Sequence, residues 1–296
     1  MDPQAQALLA SVIDGLMLGF IYGIAAMGLS LIFGIMRVIN LAHGAVIALG
    51  MFGVFIGVTY LGLNQYLSLV FVLIIALGFG IGMYFISIHR VIAAPELTTL
   101  LATYAVSLMI IGLGTAVFTT TQRAVEVNLG TFQAGAITIL GTRVAAALIA
   151  AVVTAGLYLF LYRTHLGKSI RAVANNRAAA ELMGINTAWV LALSFGIGTM
   201  LAAVSGGLIA TILSFTILSG SAFQLKSFVI VVLGGLASPT GALLGGIILG
   251  LLEGLIPVIR LPLIGSIPFS WVPVIEFIIF ILILLVRPKG LFGART

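Results

Sequence analysis

The chain has 296 residues, 62% of them hydrophobic and 7% charged, with a formal net charge of +6 and a mean hydropathy of +1.32. Soluble domains carry about 25% charged residues. These proportions therefore exclude a soluble enzyme or a nucleic-acid binder, and they turn the basic excess into orientation information. The absence of cysteine excludes disulfides and thiol or Cys-based metal chemistry. No alternating pattern of a membrane barrel is visible, so the predicted class is an all-α polytopic membrane protein, one transmembrane domain over residues 1–296. The opening MDPQAQALLASVIDG lacks a basic n-region and a small-residue cleavage site, so no cleaved signal peptide is expected.

In chain order, Leu8 to Ile35 is the first apolar span. Met36 to Asn40 interrupts it, and Leu41 to about Gly62 resumes the apolar character. Asn64-Gln65 precedes a span from Tyr66 to Ile88, which His89-Arg90 closes. After Pro95-Glu96 comes Leu97 to Phe118, then an outer loop, 119–142, with Arg123, Glu126, Asn128 and Gln133 and short β-like alternation over Ala136 to Ile139. Arg143 to Tyr162 and Ala188 to about Ser214 are spans on either side of a polar island, 163–187. Phe223 to Leu236 reads as short, because 14 helical residues cover roughly 21 Å of a core of about 30 Å. It runs into GGLASPTG, where Pro239 and glycines break the helix. A Gly-rich span from Gly241 to Ile256, a loop with Arg260, Pro262 and Pro268, a span from Trp271 to Val286 and a basic tail complete the chain.

Charge orients these segments. With island and tail both cytoplasmic, an even number of crossings must separate them, and the short segment makes the number four. Counting backwards puts Arg37 and His89-Arg90 inside and the N-terminus outside. Nine of the 13 basic residues then face the cytoplasm: Arg37, Arg90, Arg163, Lys168, Arg171, Arg177, Arg287, Lys289 and Arg295. The expected count is nine membrane segments, or eight if the short one is re-entrant, which would break the parity.

The island reads RTHLGKSIRAVANNRAAAELMGINT. Leu166, Ile170, Val173 and Ala174 share one helical face, and Lys168, Arg171 and Asn175 share another. Gly167 and Gly184 bracket an expected helix pair, with cap chemistry at Asn186-Thr187. Such a folded, charged surface suits docking of a soluble partner, and contact residues are predicted at Arg171, Asn175, Arg177, Glu181 and Gly184. An ordinary positive-inside loop is the alternative.

Few other residues carry polarity. Leu166-Gly167-Lys168-Ser169 is not a phosphate loop, because Tyr162 stands where that motif requires glycine and a membrane helix precedes it. Sparse polar residues exclude a Ser-His-Asp hydrolase, and one histidine without carboxylate or cysteine neighbours makes no metal site. Asp14, Glu253 and Glu276 fall at outer helix ends with Lys226, either as a polar vestibule that receives solute or as charges that snorkel to the interface or pair with Lys226 or Arg260. Asn40 and His43 flank the break between the first two spans; either they line a cavity at depth, or Asn40 caps a helix that has His43 in its first turn. The stretch GGLASPTGALLGG, with Gly234, Gly235 and Pro239, is predicted to turn inside the protein, packed near Asn40 and His43 beside the pathway. Leucine at Gly245 or Gly246 is accordingly expected to be far more damaging than at Gly57 or Gly62.

Four blocks carry a resemblance: SLIFGIMRVINLAHGAVIALG, the island with AAAELMGIN, VVLGGLASPTGALLGG and LLVRPKGLFG. In order and spacing they resemble the permease subunits of branched-chain amino acid ABC importers, the LivH type. The resemblance implies that the island couples to an ATPase, with Lys168, Arg171, Asn175, Arg177, Glu181 and Gly184 as the coupling set. The importer motif of Glu-Ala-Ala, three residues, then Gly is only partly matched: Gly184 fits, but Ala178 stands at the Glu position, so Glu181 or Arg177 is expected to serve there. The implied assembly holds a second, related permease subunit, two ATPases that bind the ATP, and a periplasmic solute-binding protein, in the lipid of a bacterial inner membrane. This chain itself would be no enzyme and hold no cofactor. Asn40, His43, Glu253, Gly234 and Gly235 are the candidate pathway residues. The alternatives are an importer for urea or short amides, a stand-alone channel for a small neutral solute, and a scaffold without a pore.

Overall fold

The computed structural model describes residues 3–134, 137–261, 265–287 and 290–292. Helix α1 covers Pro3–Met36, and α2 covers His43–Thr59. Helix α3, Gln65–Met83, continues through a π-helical turn at Tyr84–Ile88, and α4 is Glu96–Phe118. An antiparallel hairpin of β1, Thr131–Ala134, and β2, Ile137–Leu140, leads into α5, Gly141–Arg163. Two short helices follow, α6 at His165–Asn175 and α7 at Arg177–Leu182, and then α8 at Thr187–Ala210. A 3-10 turn at Ile217–Ser219 runs into α9, Gly220–Gly234, and α10 is Pro239–Leu255. After a small two-stranded pair comes α11, Val272–Val286.

Among the described residues eight helices are long and apolar enough to cross a membrane, with α2, 17 residues, as a shorter apolar one. Nine segments in all agree with the expected count, but the short one differs. The segment expected at Phe223 begins at Gly220 and, with its 3-10 lead, forms an 18-residue apolar helix from Ile217. Its start, Ser219-Gly220-Ser221, is polar and small, but the 18-residue stretch still has a mean hydropathy of 1.7. The segment expected at Leu41 begins at His43 and ends before Gly62, because residues 37–42 are not helical.

Glycine spacing builds the centre. Gly15, Gly19 and Gly23 of α1 recur every fourth residue, as do Gly246, Gly250 and Gly254 of α10. The two rows meet antiparallel: a Cβ on Gly15 would lie 2.6 Å from the Gly250 carbonyl oxygen, and one on Gly246 2.5 Å from the Gly23 Cα. Bare backbone on both sides gives the close contact that drives helix association in lipid. Helix α8 runs antiparallel to α1, with the Ser205 hydroxyl donating to the Ile21 carbonyl at 2.9 Å and Gly28 against Gly198. Helix α2 packs on α8, Gly50 pressed on the Ala203 carbonyl and Gly206 on that of Ile47. Helices α1, α2 and α8 are thus the buried centre, while α4, α5 and α11 present leucine, isoleucine and valine outward.

Sidedness follows from these pairings. With α6 and α7 in the cytoplasm, α8 starts inside, so α1 ends inside and starts outside. The tail returns to the same side, where the Leu291 N–H donates to the Leu233 carbonyl at 2.7 Å. Lys289 and Arg295, also counted as cytoplasmic, lie outside the described residues, as do Pro262, Ala136, Asp2 and Thr296. Reporter fusions at Asp2 and Thr296 are expected to report opposite compartments, outside and inside; the same compartment from both would remove one crossing from this fold.

Candidate functional site

The cytoplasmic helix pair is built by side-chain caps. Thr164 accepts from the Gly167 N–H at 3.0 Å to open α6, Asn176 accepts from Ala179 at 3.0 Å to open α7, and Asn186 accepts from Trp189 at 3.1 Å to open α8. Gly167 does not bracket the pair as expected. It lies buried in the first turn, where a Cβ would strike the Phe160 and Leu161 carbonyls. Gly184 does end α7, at φ +78. Ile170, Val173 and Ala180 anchor the pair, while Leu166 and Ala174, assigned to the same face, are exposed.

Lys168, Arg171, Asn175, Arg177, Glu181 and Gly184 are all exposed. The Arg171 guanidinium stacks 4.7 Å over the Tyr162 ring. Arg177 pairs with Glu181 at 3.3 Å, and the Thr187 hydroxyl donates to the same carboxylate. That hydroxyl first, and then Arg177, holds the Glu181 carboxyl below the usual carboxylate range. Because the lowered value favours the charged form, this link is intact at neutral pH and is lost only as pH falls through it. At the tip stand two residues that charge analysis did not single out, Leu182 and Met183, 89% and 82% exposed. An orientation signal needs no bare apolar tip; a docking surface does. Beneath the pair, a 190 Å³ cavity separates Ile170 and Arg171 from Ser30 and Gly34 of α1 and from Ala237 and Pro239 at the start of α10. The island therefore packs on α1 and faces the α9–α10 turn across this cavity.

The break at Asn40 and His43 lies deep in the membrane. His43 is fully buried near the Ala25 carbonyl of α1, eleven residues and so about 16 Å before the cytoplasmic end at Met36. Residues 37–42 return to that depth as irregular backbone, which lipid tolerates only when protein satisfies it. Thr103 of α4 does much of this, accepting from the Leu41 N–H at 3.1 Å and lying 3.1 Å from the Ile39 carbonyl. Asn40 accepts from the Ala42 N–H at 3.0 Å, and Gln224 of α9 from the Gly44 N–H at 3.2 Å. Asn40 thus supports the turn before α2, while Ala42 holds the cap position. Among the described residues, the Asn40 amide nitrogen and both His43 ring nitrogens are buried without a hydrogen-bond partner. Neither Thr103 nor Gln224 was foreseen; each lies far along the sequence from the break it supports.

The family described as "Branched-chain amino acid transport system / permease component" matches residues 11–286. The chain belongs to this family. It is 29% identical to the high-affinity branched-chain amino acid transport system permease protein BraD of Pseudomonas aeruginosa, over 98% of this chain and 97% of the relative. It is 28% identical to the permease protein LivH of Escherichia coli, covering 99% and 98%. A probable LivH permease of Methanocaldococcus jannaschii is 29% identical over 90% of this chain and 87% of its own length.

The remaining candidate residues of this permease have structural partners. Glu253 is paired with Lys226 at 2.5 Å, and the Lys226 ammonium sits 4.8 Å over the Tyr22 ring. Asp14 pairs with Arg143 at 2.8 Å. Of the two readings of these charges, pairing describes Glu253 and Asp14; the partner of Asp14 is Arg143, which the sequence did not suggest. Glu276 is buried, with one carboxylate oxygen unpaired. Glu253→Ala would strand the Lys226 charge at a cost of about 3–5 kcal/mol, whereas Glu253→Leu with Lys226→Met removes both charges and should recover most of the loss. Thermal melts of the purified permease check this; an additive double mutant would show that the pair is not coupled.

Gly234 and Gly235 sit at the cytoplasmic turn. Gly234 packs on the Gly241 carbonyl, Gly235 takes φ +99, and Ser238 caps α10 by accepting from Gly241 at 3.0 Å, with Pro239 in the first turn. The close packing expected of this stretch is present, but its main neighbour is α1, through Gly246 on Gly19 and Gly23 and Ala237 on Gly34. A 200 Å³ cavity between Val38, Ile39 and Leu236 lies between it and the segment of Asn40. Gly57 is no tolerant control either, since a Cβ there would meet the Ser68 hydroxyl.

Proposed function

We propose that this chain is the membrane-spanning subunit of an ATP-driven importer for branched-chain or other neutral amino acids in the bacterial inner membrane. Its partners are a second, homologous permease subunit, two ATPases that bind and hydrolyse the ATP, and a periplasmic solute-binding protein. The observation that carries the coupling role is the capped helix pair with Lys168, Arg171, Asn175, Arg177, Glu181 and Gly184 exposed around a bare Leu182-Met183 tip. A rigid amphipathic projection of this kind transmits a push from a soluble partner, because Ile170 and Val173 lock it to the bundle. Its packing on α1, and the cavity it shares with the α9–α10 turn, direct that push to the helix that ends at the break, so Asn40 and His43 lie beside the moving parts. Glu253, Gly234 and Gly235 act as supports, through the Lys226 pair and the packed turn. The relatives, named as branched-chain amino acid permeases, support the substrate class. Affinity purification of the tagged permease from its native membrane tests the assembly: two ATPase subunits should come with it, and a chain that purifies alone as a homo-oligomer rejects the reading.

A further inference from the structure

A second feature meets the break at mid-depth. Helices α2 and α9 both start there, Gly44 against Gly220, and beside their first turns lies a cavity of 350 Å³ closed on one side by α4. Its polar lining is Tyr104, Ser107, Ser221 and Gln224, its apolar walls include Leu108 and Leu225, and among the described residues no carboxylate or basic side chain lines it. Ser107 is the midpoint of the 23-residue α4, and Gln224 lies ten residues, about 15 Å, before the cytoplasmic end of α9.

Chemistry narrows what can occupy it. Unpaired hydroxyl and amide groups facing acyl chains cost several kcal/mol each, so this wall is unsuited to lipid. Ser107 is buried and turns to the cavity from the middle of α4. Gln224 spends its carbonyl oxygen on the Gly44 N–H, which leaves its amide N–H donors for a solute. Ser221 donates to the Leu218 carbonyl and keeps its lone pairs. Donors and acceptors at one end with leucines at the other match a solute that is neutral overall, polar at one end and branched-aliphatic at the other. Tyr104, Leu108 and Leu225 are about half exposed, so a second permease chain is needed to close the cavity.

We propose that this cavity is a transient binding site for an amino-acid zwitterion with an aliphatic side chain, its carboxylate on the Gln224 amide and the Ser107 hydroxyl and its side chain between Leu108 and Leu225. The site rests on the transport reading above and adds the residues that meet the solute within the membrane. Because the chain has no cysteine, the natural sequence is the background for labelling. In the complete importer, Ser107→Cys and Ser221→Cys should react with a charged, water-borne methanethiosulfonate, while Leu148→Cys on the outward face of α5 should not. Leucine at ten times its half-saturating concentration should slow both reactions about ten-fold by mass action. Should one variant fail to assemble, the other is read alone. A complex that accumulates leucine while these thiols are unreactive, or react at a rate leucine does not change, overturns the site and leaves the transport reading standing. A wild-type importer that accumulates no aliphatic amino acid overturns both.

Discussion

Leucine at Gly50 or Gly246 is expected to abolish the folded permease, while leucine at Gly112 or Gly156 leaves it intact. The contrast is geometric. A Cβ on Gly50 would collide with the Ala203 carbonyl, and one on Gly246 would lie 2.5 Å from the Gly23 backbone, whereas nothing lies within 4 Å of a Cβ on Gly112 or Gly156. Extra methylenes in a packed core cost typically about 1–3 kcal/mol when side chains can yield. Here the obstacle is backbone, so whole helices must separate, against a total stability of only about 5–15 kcal/mol. At the open positions the sign reverses, because leucine in a helix interior is favoured over glycine by roughly 0.5–1 kcal/mol. Membrane abundance and the melting temperature of the solubilised protein check both halves. Equal tolerance at all four positions would dismantle the glycine-ladder account of the core.

The second large effect belongs to the cytoplasmic helix pair. Arg171→Glu with Arg177→Glu is expected to abolish transport while the chain still inserts. That pair of changes also loosens α7, since a carboxylate at position 177 would face Glu181 one turn away. Leu182→Asp with Met183→Asp gives the cleaner result, because both side chains are almost wholly exposed and support nothing within the chain. Loss of a hot spot of about 2 kcal/mol weakens association roughly 30-fold. Unchanged membrane abundance with loss of bound ATPase is the expected pattern; retained ATPase and wild-type uptake in both double variants would show that the island is only an orientation signal.

Much of this was legible in the residues. Apolar length and glycine–proline punctuation mark the spans, and the Asn186 cap, the Gly184 terminus and the Pro239 break are local chemistry that the structure repeats. Depth was not legible. Hydropathy reports how apolar Leu41 to Gly62 is, but the level at which α2 begins is set by Thr103 and Gln224, 62 and 180 residues from the backbone they hold. The start of α9 differs for a related reason: Ser219 and Ser221 are polar by composition, but Ser219 is spent on a capping box with Thr216 and Ser221 on the Leu218 carbonyl beside the cavity. The rows Gly15-Gly19-Gly23 and Gly246-Gly250-Gly254 were visible as four-residue repeats, but which row meets which is a tertiary fact. The carboxylates were seen as costly, and Lys226 was a nameable partner for Glu253; that Arg143 meets Asp14 depends on how α5 packs against α1.

The central claim, that partner ATPases drive this subunit to move an aliphatic amino acid inward, is tested most directly by uptake into proteoliposomes. The complete importer is reconstituted with its nucleotide sites facing an ATP-loaded interior or facing the bath, and radiolabelled leucine is supplied with the solute-binding protein on the opposite side. The account predicts accumulation above the supplied concentration only when ATP is present on the ATPase side, with none for the Leu182→Asp, Met183→Asp variant. Leucine flux that merely equilibrates, at the same rate without ATP or without the ATPases, would contradict it and identify a passive channel.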